Sequence, residues 1–378
     1  MRSTTTYAVR LALAACTAAG LTGCGAGAEG GSEATSPSGD RLDADRMGDV
    51  ARDPSASADE IVDAGRAVDA AASGDTVLVT YTVDQGTSEG RSAGAWRLYD
   101  AEGDAIATER AGVTEEGAST PDVTGLPDGY LLRENPGGSL WHVAADGASE
   151  KVARADGPQR ARAGDVPLDD GTARLYRPAD RTVLEAAPVA DRDRQGWTVT
   201  DDGVLWQQLL GRNDRVPFER STPDGRWEPA ATYRSRPDRI VTNLALTAVG
   251  ERIALPLTAE GDDPTTASLV GLLVRDADAA PGSPWQVLAA RDVPGEGWWD
   301  ARLAAVDDTT AAVSTYGDAP YLVDVTGGDG GWTRMPLPTD EEGWVVEFDG
   351  GRAHATHSDH ADAWVSDDRG VTWDRLPH

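Results

Sequence analysis

Trp364-Val-Ser-Asp-Asp-Arg-Gly-Val-Thr-Trp373 closes the chain, and its chemistry is that of a tight hairpin. Asp368 sits where its carboxylate can accept hydrogen bonds from the amides of its own turn. Gly370 supplies the positive φ that residues with a Cβ resist, and Trp373 can fold over the turn as a lid. The apolar run before it is short and bounded by polar residues, as befits a strand. Six earlier segments repeat this outline of an aromatic or apolar run leading into a polar turn. They start at Trp96, Trp141, Arg174, Phe218, Leu272 and Tyr321, and with Trp364 their spacings are 45, 33, 44, 54, 49 and 43 residues. Gly-Trp pairs at Gly196-Trp197, Gly297-Trp298 and Gly343-Trp344 open further strands, 101 and 46 residues apart.

A period of about 40–50 residues with several short strands in each repeat predicts propeller blades, four-stranded sheets that bury their faces on their neighbours. Other runs, such as Thr76–Val83, Gly129–Arg133, Arg252–Leu257 and Ala311–Tyr316, are four to eight residues long and bounded by Gly, Asp or Pro. Only Ala58–Ala72 hints at a helical period. The expectation is an all-β chain with a β-propeller over 61–378. Seven blades fit the markers, with six as the alternative because the 33-residue gap is short.

Ser366, Asp368, Gly370, Thr372 and Trp373 fill every fixed position of Ser-x-Asp-x-Gly-x-Thr-Trp. This resembles the Asp-box, or bacterial neuraminidase repeat, found between the outer two strands of propeller blades in sialidases and in many proteins without enzymatic activity. Degenerate copies stand at Ser221–Trp227 and Asp329–Thr333. The resemblance implies fold and not activity. Sialidase-like chemistry would add an arginine triad, a tyrosine nucleophile and an acid/base aspartate. The family's Arg-Leu-Pro triplet occurs here only as Arg375-Leu376-Pro377, at the wrong end of the chain, and no catalytic residue is assigned. No cofactor is implied. A Gly-x-Ser-x-Gly elbow is lacking, as is a phosphate loop between strand and helix.

Residues 1–23 carry Arg2 and Arg10, an 11-residue apolar stretch from Leu11 to Leu21, and then Leu21-Thr22-Gly23-Cys24. The stretch is too short to span a bilayer, which takes roughly 20 residues. It resembles the signal and lipobox of a bacterial lipoprotein, which implies lipid attachment at Cys24. The other cysteine, Cys16, lies within the signal, so the exported part would hold no disulfide. Residues 24–60, rich in Gly, Ala, Ser, Asp and Pro, are expected to be a disordered, acidic tether.

The net charge is −30 from 64 acidic and 34 basic residues, and loss of the signal takes it to −32. That charge excludes a generic nucleic-acid binder. Three of five histidines fall in His354-Ala-Thr-His357-Ser-Asp-His360, a candidate metal set, although on a strand His354 and His357 would face opposite sides. Trp298 and Trp299 form a candidate sugar platform, and Asp262-Asp263 and Asp307-Asp308 read as solvated turns. The expected role is that of a monomeric, membrane-anchored, extracytoplasmic lipoprotein that binds an envelope protein without catalysis. The alternative is a carbohydrate-binding or glycoside-hydrolysing propeller with a glycan partner.

Overall fold

The computed structural model describes residues 42–377 except 85–90, 115–120, 135–138, 170–172, 189–193, 212–213, 237–239, 242–245, 260–266, 292, 294–296, 299–300, 316–317, 328–330 and 350. The signal, Cys24, Trp299 and Asp262-Asp263 lie outside the described residues.

Seven sheets, antiparallel except at the outer edge of blade 3, form a ring, a seven-bladed β-propeller. From the axis outward, blade 1 is β1 (Arg66–Ser73), β2 (Thr76–Asp84), β3 (Ser92–Tyr99) and β4 (Ala105–Thr114). Blade 2 is β5 (Asp122–Leu126), β6 (Gly129–Arg133), β7 (Leu140–Val143) and β8 (Ser149–Lys151). Blade 3 comprises β9 (Ala153–Arg154), β10 (Gln159–Arg160), β11 (Val166–Asp169), β12 (Ala173–Arg177) and β13 (Thr182–Ala187). Blade 4 is β14 (Arg194–Val199), β15 (Leu205–Leu209), β16 (Arg215–Ser221) and β17 (Trp227–Arg234). In blade 5 the inner place is shared by β18 (Ile240–Val241) and β19 (Thr247–Val249), followed by β20 (Arg252–Ala259), β21 (Ser268–Asp276) and β22 (Gln286–Ala289). Blade 6 is β23 (Arg302–Ala305), β24 (Thr310–Ser314), β25 (Tyr321–Asp324) and β26 (Trp332–Arg334). Blade 7 is β27 (Trp344–Asp349), β28 (Arg352–His357), β29 (Ala363–Ser366) and β30 (Asp374–Leu376).

Six of the seven sequence markers fall on third strands; Arg174 alone sits on a second strand, β12. Blade 3 is the reason. Its outer edge is laid down before its inner strand: β9 and β10 run parallel to β13, while β11 follows them and takes the inner place. The chain therefore leaves blade 3 at its third strand, and the short gap reflects this order and not a missing blade.

Packing between blades fills most of the core. Trp96, Leu98 and Tyr130 join blades 1 and 2; Leu131 and Tyr176 join blades 2 and 3; Leu175 and Leu205 join blades 3 and 4. Trp206, Phe218 and Leu255 join blades 4 and 5, and Leu272, Trp298 and Tyr321 join blades 5 and 6. Fully burying such side chains is worth about 1.5–3 kcal/mol each.

The folded body begins before residue 61, which corrects the expected tether. Helices α1 (Ala44–Arg52) and α2 (Ala58–Ala64) are capped by Asp43 and by a Ser57/Glu60 capping box. They bury Ala51, Ala56, Ile61 and Val62 against Tyr81, Val83 and Ala95 of blade 1, in a cluster that also holds Ala363 and Leu376 of blade 7.

Among the described residues the ring closes without a shared sheet. Blade 1 is built from residues 66–114 alone and blade 7 from 344–376 alone. Separate hydrogen bonds bridge the seam: Ala67 N–H donates to the Ala361 carbonyl at 3.1 Å, Arg352 Nη1 to the Gly74 carbonyl at 2.9 Å, and the Tyr99 hydroxyl to the Pro377 carbonyl at 2.7 Å.

Candidate functional site

Side-chain alternation along β28 decides what the three histidines do. Residues three apart on a strand face opposite sides. His354 therefore points towards blade 1 and His357 towards blade 6, with His360 in the turn that follows. All three are buried. They lie in a buried strand and the turn after it, and the candidate metal set divides into two clusters.

The first cluster lies across the seam. Glu347 on β27 stands opposite His354 in the β27–β28 ladder, and Asp69 comes from β1 of blade 1. One ligand atom from each of Asp69, Glu347 and His354 lies within 4.8 Å of the others. Asp69 occupies an irregularity in the β1–β2 register, and its carboxylate accepts from the amides of Ala70 at 2.8 Å and Val123 of β5 at 2.7 Å. Burial pushes the Asp69 carboxyl well above the usual carboxylate range, and the neighbouring charge of Glu347 and a hydrogen bond with it push the same way. Asp349 completes the group. It accepts from the Ala72 amide at 3.2 Å and lies 2.8 Å from His354 Nε2. Blade 2 approaches so closely here that a Cβ on Gly125 would meet the Ala72 carbonyl oxygen at 2.2 Å and Asp349 Cγ at 2.9 Å. Glu347 is the exposed member, so the cluster opens at this residue.

The second cluster lies where β27 begins and β28 ends. His360 Nε2 is 2.6 Å from Glu341 Oε2, and the His360 ring stacks on Trp344 at 5.8 Å. Both nitrogens of His357 are engaged: Nε2 donates to the Glu342 carbonyl at 2.6 Å, and Nδ1 accepts from the Asp359 amide at 3.1 Å. Asp362 is fully buried and paired with Arg375, the arginine of the Arg-Leu-Pro triplet, at 2.7 Å. Trp344 and these partners form a buried aromatic pocket in which His360 Nδ1 is left without a hydrogen-bond partner.

The other candidates have structural surroundings. Trp298 is buried edge-on to Tyr321, with ring centroids 6.0 Å apart, so it offers no face to a sugar. In the last hairpin, between β29 and β30, Asp368 accepts from the Thr372 amide at 2.8 Å and from the Ser366 hydroxyl at 2.8 Å. Gly370 has φ +83°, and Trp373 Nε1 donates to the Pro336 carbonyl at 3.1 Å. Trp373 is only half-buried, less covered than its role as a lid suggested. Asp307 caps a turn through the Thr309 and Thr310 amides and pairs with Arg369, a contact between blades 6 and 7. The signal that sequence reasoning missed is carried by Asp69 and Glu347, 278 residues apart.

No family model matches the chain, and no curated protein matches it. Solved structures do. The β-propeller domain of the trilobed protease from Pyrococcus furiosus is 12% identical over 83% of this chain and 98% of that one, with a TM-score of 0.48. Pyrococcus horikoshii acylaminoacyl peptidase is 12% identical over 83% of this chain and 52% of that one, with a TM-score of 0.49. A puromycin hydrolase is 16% identical over 86% and 56%, with a TM-score of 0.46. The chain spans about half the length of the latter two proteins. The common feature is the propeller fold. The expectation of a non-catalytic binder of an envelope protein is set aside: the similar structures above are a protease's propeller domain, an acylaminoacyl peptidase and a puromycin hydrolase, and the likeness to them is one of fold alone.

Proposed function

We propose that this is a peptidase-associated propeller, which admits extended polypeptide and serves a hydrolase. The observation that carries the reading is the open ring. Among the described residues blades 1 and 7 share no strand, so the seam is held by packing and separate hydrogen bonds, and it is the joint at which the ring can part without breaking a sheet. The trilobed protease propeller is described as having an open velcro topology. The charge of −30 favours basic segments as the polypeptide admitted. The Asp-box resemblance of residues 366–373 belongs to the scaffold in this reading, and Cys24 is its lipid attachment point, which would hold the propeller on the outer face of the cytoplasmic membrane.

Two measurements test it. Crosslinking in the producer's envelope followed by mass spectrometry is expected to recover a peptidase. An engineered disulfide between Ala67→Cys and Ala361→Cys, across the seam hydrogen bond, is expected to weaken binding of a basic unfolded peptide at least tenfold when oxidised and to restore it on reduction. Recovery of envelope proteins without a peptidase, together with peptide binding indifferent to the disulfide, would refute the proposal. Cys24→Ser is expected to move the protein from membrane to medium.

A further inference from the structure

We infer that Asp69, Glu347 and His354 form a divalent-cation site that staples the open ring across the seam. One carboxylate comes from blade 1, and the other, with the imidazole, from blade 7, so a single ion would join the two ends of the ring where other propellers share a strand. The inference stands on this cluster and does not depend on the peptidase reading.

The donor set fits a borderline cation of the Zn²⁺ or Mn²⁺ kind: one imidazole and two carboxylates, with room for water at the exposed Glu347. Bonds of about 2.0–2.2 Å bring ligand atoms closer together than 4.8 Å, so the site must contract by up to about 1 Å. Glu347 has the freedom to supply that movement. The other members are already oriented. Backbone amides of β1 and β5 hold Asp69, and Asp349 holds the His354 ring, as an outer carboxylate does for a metal-binding imidazole. Charged groups nearby are Asp349 on β27, Asp122 on β5 and Arg133 on β6, and Arg133 is paired with Asp122. Among the described residues the only other candidate cluster is that of Glu341, His357 and His360, where His357 has no free nitrogen.

The test uses the full chain, stripped with a chelator and titrated with Zn²⁺, then Mn²⁺, by isothermal calorimetry. One equivalent is expected to bind in the micromolar range or tighter, with a rise in Tm. Glu347→Gln changes an exposed side chain, whereas Asp69→Asn keeps one oxygen, for the Val123 amide, and gives up the acceptor at the Ala70 amide. Each is expected to weaken binding at least tenfold, and Glu347→Gln to do so while the metal-free Tm and circular dichroism stay as in the parent. His360→Gln is expected to leave the affinity unchanged. Absence of saturable binding would overturn the inference, as would binding that survives both carboxylate changes or is lost with His360→Gln.

Discussion

Arg177→Met should cost about 4 kcal/mol at pH 7, and the cost should shrink as the pH falls. Arg177 ends β12 with its guanidinium 2% exposed, and all its donors point inward. Nε and Nη2 grip the two oxygens of Asp165 at 2.9 and 2.8 Å, Nη1 donates to Gln159 Oε1 at 2.8 Å, and Nη2 donates also to the Arg160 carbonyl at 2.7 Å. This one side chain thus fastens the outer edge of blade 3 to its second strand. Methionine fills much of the volume but leaves a buried carboxylate whose remaining amide partner is Arg162 N–H at 2.8 Å. That carboxylate must stay charged without a cation or take a proton. For an ordinary carboxylate titrating near 4, protonation at pH 7 costs about 4 kcal/mol, at 1.36 kcal/mol per unit. The figure agrees with the roughly 3–5 kcal/mol found when one partner of a buried pair is removed. At about 2–4 °C per kcal/mol, Tm should fall by roughly 8–16 °C, nearer the lower value for a body of this size. The sign with pH follows. A buried carboxylate without its cation has a folded-state pKa above its unfolded one, so its contribution is favourable below about pH 4 and is lost as pH rises. Moving from pH 7 to pH 5 should therefore return about 2.7 kcal/mol of the loss. The double change Arg177→Met/Asp165→Leu should recover most of it at both pH values. Urea unfolding at pH 5 and pH 7 reads all three proteins. A loss under 1 kcal/mol, or one that is equal at the two pH values, would refute the reasoning.

Hairpin carboxylates give the parent protein the opposite pH dependence. The side chains of Arg226 and Thr222 hold Asp224 at about 2, and hydrogen bonds from Thr326 and Thr372 lower Asp324 and Asp368. Their contribution is present above about pH 4 and lost as pH falls through the folded values, so Tm should drop from pH 4 to pH 2, and less steeply in an Asp224→Asn/Asp324→Asn/Asp368→Asn protein. Gly370→Ala should cost about 1–2 kcal/mol in urea unfolding, because φ is +83° and its Cβ would meet Met335 Cε at 2.3 Å. A chain starting at Asp43 should be monodisperse in size-exclusion chromatography, whereas one starting at Arg66, without α1 and α2, should aggregate through the uncovered Tyr81, Val83 and Ala95.

The blades were legible because four of the third strands run towards the same local device. Asp100, Asp146, Asp324 and Asp368 all accept amides within their own outer hairpins, so the turn needs the same residue each time and leaves a period in the sequence. Blade 3 breaks the period because its edge is built in another order, which no local motif records. The helices were taken for tether because α1 buries little: Met47 and Val50 are half-covered, among Asp, Arg and Gly. The same distinction applies to the seam. The proximity of His354, His357 and His360 in sequence suggested one site, yet the two-residue period of a strand separates His354 from His357, and His354 and His360 each find a carboxylate elsewhere. His360 reaches Glu341, 19 residues away, while His354 meets Asp69 from the opposite end of the chain, 285 residues away. In a ring closed without an exchanged strand, the first and last blades meet through single hydrogen bonds and side-chain contacts and not through a ladder. Chemistry at the seam is therefore composed of residues that share no local pattern, and it becomes legible only once the blade count fixes which strands are neighbours.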